Sequence, residues 1–117
     1  MKNFYTEEVL SGKTKVSVVC ESEKVLAFHH TRPYFERHIV IIPRFFIESL
    51  SDAGATDPTL AAEFLNAIHK VTAMVEAEFG GCRVSSNVGN YQTTKHLHWY
   101  VHAGKRLRAE DGSPIAH

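Results

Sequence analysis

Apolar positions fall into distinct patterns along the chain, and their order predicts the fold. Val16-Ser17-Val18-Val19-Cys20 and Val25-Leu26-Ala27-Phe28 read as two short strands separated by the polar turn Glu21-Ser22-Glu23. His38-Ile39-Val40-Ile41-Ile42 is a continuous β-branched run ended by Pro43, the signature of a strand buried on both faces. From Leu60 the period changes. Leu60, Phe64, Ile68, Val71, Val75 and Phe79 recur at spacings of three and four, which predicts a long amphipathic helix. Asp57 supplies its cap, Pro58 suits the first helical position, and Gly80-Gly81 stops it. Residues 82–86 alternate as a strand, residues 87–94 form a polar loop, and residues 95–102 alternate again as a strand.

Smaller elements complete the outline. Residues 3–11 read as a short helix with Asn3 as cap and Gly12 as stop. Thr31-Arg32-Pro33 opens an irregular loop, because the residue before proline avoids the helical region. Phe45, Phe46, Ile47 and Leu50 suggest a short helix or turn, and residues 51–56 a loop. Residues 103–117 form a polar tail with a turn at Asp111-Gly112-Ser113-Pro114. Strands grouped before and after one long helix predict a single α+β domain over residues 1–117. It is an antiparallel sheet of about five strands carrying the long helix and a short N-terminal helix.

Charge narrows the function classes. Thirteen Lys and Arg balance thirteen Asp and Glu, which excludes a partner held by a broad basic field and argues against nucleic acid. No apolar run is long enough to span a bilayer, and acids occupy the N-terminal segment where a signal peptide needs an apolar core, so a cytoplasmic protein with no membrane partner is expected. Cys20 and Cys82 form no C-x-x-C pair and are too few for a disulfide framework; their strand contexts predict buried thiols. The unusual feature is eight histidines.

Three of them sit in His96-Leu97-His98-Trp99-Tyr100-Val101-His102. On a strand, His96, His98, Tyr100 and His102 share one face, about 7 Å apart along it, while Leu97, Trp99 and Val101 enter the core. A neutral imidazole in such a row suits attack on phosphorus, with neighbouring rings moving protons and offsetting charge. The same H-x-H spacing also suits a metal, and on a solvated strand face it needs no function at all. The preceding loop, Asn87-Val88-Gly89-Asn90-Tyr91-Gln92-Thr93-Thr94, carries amides and hydroxyls suited to phosphate oxygens. Viewed alone, it is equally an ordinary turn.

Taken together these segments resemble the histidine triad (HIT) superfamily of nucleotide hydrolases and transferases, and within it the nucleotide-binding, phosphoramidase-like branch. The resemblance runs from Phe4 to about Arg106. Leu26-Ala27-Phe28-His29 is similar to that branch's "LAFxD" strand, and Arg37-His38-Ile39-Val40-Ile41-Ile42-Pro43 to its "GHxLVIPK" strand. The long helix, an Asn-bearing strand end, a Gln-Thr loop and the histidine strand follow in order. The resemblance implies a HIT-like fold and a covalent nucleotidyl-histidine formed at the α-phosphorus of a nucleotide phosphoramidate or dinucleoside polyphosphate. His98 then falls at the nucleophile, with His96 and His38 as the other family histidines. Asn87, Gln92 and Thr93 resemble phosphate and leaving-group contacts. Tyr5, Val9, Phe28 and His29 resemble walls of the base pocket, though Val9 and Phe28 are better read as core.

Three departures follow from the same comparison. The third triad position is Tyr100, a neutral donor that supplies no positive ring; by analogy with loss of one transition-state donor, activity could fall roughly 100–1000-fold. His30 stands where the branch carries a ribose-binding Asp or Asn, and an imidazole accepts at most one hydrogen bond there. Phe4, Glu7 and Phe46 replace the zinc ligands of some bacterial relatives, so no metal or other cofactor is expected. The implied partners are a purine mononucleotide or dinucleotide substrate and a second copy in a two-fold homodimer, with Met74 and Ala67 widening the apolar side of the long helix and the tail approaching the partner's site. A nucleotide-binding module with little catalysis is the alternative to a hydrolase.

Overall fold

Hydrophobic patterning is realised as five strands and one long helix in a computed structural model that describes residues 4–115. The strands are β1 (Val18–Glu21), β2 (Val25–His29), β3 (Phe35–Pro43), β4 (Arg83–Ser86) and β5 (Trp99–Arg106), in spatial order β1-β2-β3-β5-β4 with every neighbouring pair antiparallel. The helix α1 spans Pro58–Phe79. Asp57 Oδ2 accepts from the Leu60 amide at 3.0 Å, and Gly80 closes the helix at φ 83°, where only glycine is unstrained. The sequence places both ends of this element correctly.

The sheet divides its side chains between two layers. Val25, Ala27, Ile39, Ile41, Leu97 and Val101 pack against Leu60, Phe64, Ala67, Val71 and Val75 of α1. Each such aliphatic side chain contributes about 1.5–3 kcal/mol on burial. On the opposite face Leu26, Phe28, Val40 and Ile42 meet Tyr5 and Val9. The β3 run is thus buried on both sides, with Ile39 to Ile42 all at 0–1% exposure, as its unbroken apolar sequence requires.

Several expectations are corrected. The histidine strand begins at Trp99 and ends at Arg106, four residues later than the alternation suggested. Ahead of Trp99, the Leu97 amide donates to Ile47 O at 2.6 Å and His98 O accepts from Ser86 Oγ at 2.8 Å, so that backbone is tied outside the ladder. At its far end β5 continues because Phe35 of β3 pairs with Arg106. The first strand starts at Val18 rather than Val16. Residues 44–49 form no helix: Ile47 alone of the four apolar residues is buried, while Phe45, Phe46 and Leu50 are exposed. The loop before α1 contains a 3₁₀ turn, Ala53–Thr56, capped by Asp52. The N-terminal helix is a single π-type turn, Tyr5–Val9, with Phe4 at its cap and no side-chain cap bond; Asn3 lies outside the described residues. Cys20 and Cys82 are half-buried, not fully buried.

The tail is also more ordered than its polarity implied. Residues 107–115 fold into a small hairpin through the Arg108–Pro114 bridge and the turn at Gly112. It docks on the 30–34 loop: the Leu107 amide donates to Tyr34 O at 2.7 Å, and Arg32 Nη2 to Gly112 O at 3.2 Å.

Gly104 is the position where β5 tolerates least change. Its φ is +85°, and a Cβ there would lie 2.8 Å from Glu36 Cβ and 2.9 Å from Phe79 Cε1. Gly104→Ala should therefore destabilise the domain by about 1–3 kcal/mol, combining backbone strain with overpacking. Thermal denaturation checks this, and an unchanged Tm would refute it.

Candidate active site

The site is built where the segment entering β5 crosses beneath the N-terminal turn. His98 is 2% exposed, and its Nδ1 lies 2.6 Å from His96 O. A carbonyl only accepts, so Nδ1 carries the hydrogen and neutral His98 keeps its lone pair on Nε2. Burial lowers the His98 pKa, partly opposed by this same bond, so the ring is neutral near pH 7. A neutral imidazole with its Nε2 lone pair available is the state required of a nucleophile.

His96 is held the opposite way. Its Nε2 lies 3.3 Å from Pro43 O and its Nδ1 3.2 Å from Thr6 Oγ1. The Pro43 carbonyl fixes the hydrogen on Nε2, and the Thr6 hydroxyl then donates to Nδ1. Both nitrogens are thus engaged, and His96 serves to fix the chain that supplies the carbonyl for His98.

The alternation read from the sequence holds for side-chain facing. Tyr5 contacts both His96 and His98, with ring centroids 5.8 and 5.0 Å away, and Tyr100 lies 5.0 Å from His98. The row is not open to solvent, however. His96 and His98 are buried, while Tyr5 and Tyr100, which contact His98, line an adjoining cavity of about 460 Å³. Burial raises the pKa of both phenols, so both are neutral hydrogen-bonding groups near pH 7.

Beyond Tyr100 the cavity wall carries a second set of histidines. His30 and His38 stack at 4.4 Å with an interplanar angle of 26°. His30 Nδ1 accepts from the Arg32 amide and His38 Nδ1 from the Tyr34 amide, each at 3.0 Å. Backbone donors therefore force the hydrogen of both neutral rings onto Nε2. Burial, with neighbouring imidazoles, pushes the His30 pKa down to about 4 and that of His38 down to about 3. His102 lines the same cavity, stacked on Phe35 at 4.0 Å, and burial with Arg83 and Arg106 lowers its pKa.

Among the predicted binding residues, Tyr5, Phe28, His30, His38, Asn87, Thr93 and Tyr100 line this cavity. Val9 packs in the core between the N-terminal turn and the sheet. His29 pairs with Ile39 and faces the α1 side, beside Arg37 and Glu78; adjacent strand residues cannot both face the cavity with Phe28. Gln92 is buried and structurally committed, its Nε2 donating to Glu48 O at 2.8 Å and its Oε1 accepting from the Gly89 amide at 3.2 Å. Sequence reading missed Arg32, Tyr34, Arg106 and Glu110 as lining residues. Arg106, at the end of β5, and Glu110, in the hairpin that follows, line this chain's own cavity. Among the described residues no group of three His, Cys, Asp or Glu side chains is arranged to hold a metal, and no helix is long and apolar enough to cross a membrane.

Comparison with known proteins identifies the family and the fold. Residues 11–107 match the family described as HIT domain. An uncharacterised 13.2 kDa HIT-like protein of Azospirillum brasilense is 36% identical over 103 residues, covering 85% of this chain and 84% of that protein. A HIT family hydrolase from Legionella pneumophila is 27% identical with a TM-score of 0.72, over 88% of this chain and 94% of that one. A histidine triad protein from Clostridium difficile is 30% identical with a TM-score of 0.70, over 87% and 90%.

Two outcomes follow from the hydrogen-bond pattern. Imidazole-nitrogen NMR at pH 7.5 should find His98 in the Nδ1–H form and His30, His38 and His96 in the Nε2–H form; a mixed population at His98 would refute the assignment. Stability should also fall with acid. The folded-state pKa values of His30 and His38 lie below the ordinary 6.5, so between about 6.5 and 3 the unfolded chain binds more protons. The stabilisation is complete above pH 6.5 and is lost on acidification, at up to about 1.4 kcal/mol per pH unit for each histidine. His38→Gln should flatten this slope in denaturation measured from pH 7.5 to 4.

Proposed function

Because the chain belongs to the HIT family, we propose that it is a hydrolase acting at the α-phosphorus of a nucleotide phosphoramidate or dinucleoside polyphosphate, in the nucleotide-binding, phosphoramidase-like branch. The observation that carries this reading is the 2.6 Å contact of His98 Nδ1 with His96 O, which leaves Nε2 as the basic nitrogen. His98 Nε2 forms a bond to phosphorus as the bond to the amine or phosphate leaving group breaks. That group departs with its electron pair and takes a proton from solvent. Water then attacks the same phosphorus, gives up its proton to solvent, and displaces His98 to yield the nucleoside monophosphate.

The surrounding groups support both half-reactions. Tyr100, Thr93 and Asn87 line the cavity and offer neutral donors for the phosphoryl oxygens. Phe28 and Val40 supply apolar wall, suited to a purine. The Tyr5 ring lies 5.0 Å from that of His98, so its placement bears directly on access to the proposed nucleophile. The HIT family hydrolase similarity supports the reaction class. The burial of His98 favours the second reading, a nucleotide-binding module with weak turnover.

A homodimer is part of the proposal. β4 is a sheet edge whose Val84 is 41% exposed, and α1 leaves Leu65 and Met74 exposed at 68% and 45%. Analytical ultracentrifugation should give a dimer, and Met74→Glu with Val84→Lys should give a monomer; a monomeric wild type removes this part.

Catalysis is tested by assaying adenosine phosphoramidate and diadenosine polyphosphates with wild type and His98→Ala. Loss of His98 should lower turnover by at least about 1000-fold, on the scale of nucleophile removal. Wild type should yield a transient acid-labile nucleotidyl adduct. Equal background rates for both proteins would refute the enzyme, and AMP binding without turnover would establish the module.

A further inference from the structure

The cavity adjoins His98 through Tyr5 and Tyr100, and its wall has a chemistry of its own. His30 and His38 each accept a backbone amide hydrogen at Nδ1, at 3.0 Å, so each is a donor through Nε2. Arg32 and Arg106 line the same cavity. The Arg106 guanidinium is positioned by Nε donating to Arg108 O at 2.6 Å and by lying over the Phe35 ring at 5.5 Å. Arg32 is fixed through Nη2 to Gly112 O at 3.2 Å. Set against these donors is one carboxylate among the described lining residues, that of exposed Glu110. Two guanidinium groups and two imidazole N–H groups fit acceptor-only oxygens, whereas a sugar diol needs an acceptor for its own hydrogens.

This wall is close to the reacting centre. The Tyr100 ring lies 5.0 Å from His98 on one side and 6.0 Å from His30 on the other. Tyr100 thus adjoins both His98 and the donor-bearing wall, and a ligand in contact with Tyr100 lies near each. We propose that His30, His38, Arg32 and Arg106 form a subsite for a second phosphoryl group of the substrate, beyond the phosphorus that His98 attacks. The subsite rests on the nucleotide reading of the catalytic centre. Its ligand chemistry is a phosphate that can come from either of two places, the polyphosphate chain or the sugar.

Calorimetry on the full chain with AMP, ADP and adenosine 2′,5′-bisphosphate tests it. ADP or the bisphosphate should bind at least about 10-fold more tightly than AMP, the scale of a charge-assisted phosphate contact. Tighter ADP assigns the chain phosphate, and tighter bisphosphate assigns the sugar phosphate. Arg32→Gln, Arg106→Gln and His30→Asp should each narrow that ratio by about 3-fold or more, with folding verified by circular dichroism. Equal affinity for all three nucleotides overturns the subsite and leaves the hydrolase reading intact. A clear preference in a protein that never forms an adduct at His98 upholds the subsite and removes the hydrolase. Absence of binding by any of the three overturns both.

Discussion

The pairing of β3 with β5 is the constraint on which both halves of the molecule depend. Ile39 opposite Val101 and Ile41 opposite Trp99 build the layer beneath α1. His38 opposite His102 and Val40 opposite Tyr100 build the wall of the cavity on the other side. The same antiparallel register thus sets core packing and site geometry. A one-residue slip would send the imidazoles into the α1 layer and the aliphatic residues into the cavity. Because the aliphatic face is fully buried, that slip is strongly disfavoured, and the hydrophobic layer in effect aims the polar one.

Within that frame the backbone decides the chemistry of each ring. His96, His98, His30 and His38 are alike as residues, and burial keeps all four neutral near pH 7. They differ in what faces Nδ1 or Nε2. A carbonyl at His98 Nδ1 makes Nε2 basic; amide donors at His30 and His38 Nδ1 make their Nε2 groups donors. Such bonds also offset much of the cost of burying polar rings. The Pro43 carbonyl that holds His96 thereby bears on His98 through one intermediate residue.

Much of this was legible from residue order, and the failures have physical causes. Asp57-Pro58 and Gly80-Gly81 bound α1 because capping is local chemistry. The β-branched run 38–42 announced a strand buried on both faces, and the H-x-H-x-Y alternation gave the shared side of His96, His98 and Tyr100. The start of β5 was not legible, since it is set by the Ile47 carbonyl, distant in sequence from Leu97. Gln92 has the residue type of a phosphate contact but spends its amide on Glu48 O, again a long-range partner. His29 could have been excluded on strand parity alone, being adjacent to the cavity-facing Phe28. Arg106 was hidden because β5 runs on past His102 to pair with Phe35, and Glu110 because a polar tail gives no periodic signal until its hairpin docks on Tyr34.

Tyr100, the neighbour of His98 on the cavity side, bears on how charge is distributed across the cavity. Around His98 the neighbouring groups are Tyr5, Tyr100 and His96, all uncharged near pH 7 because burial disfavours their ions. The permanent cations, Arg32 and Arg106, line the cavity together with the stacked His30 and His38. In the proposed reaction a phosphoryl group at His98 would be met by neutral dipoles, which hold oxygens without lowering the basicity of the imidazole. A guanidinium placed directly beside His98 would stabilise the anion but further favour the uncharged imidazole and repel the phosphorylated ring's positive charge. Under the proposal, separating the two functions avoids that conflict: the groups around His98 keep its imidazole neutral, and the arginines of the cavity supply the attraction for an anionic ligand.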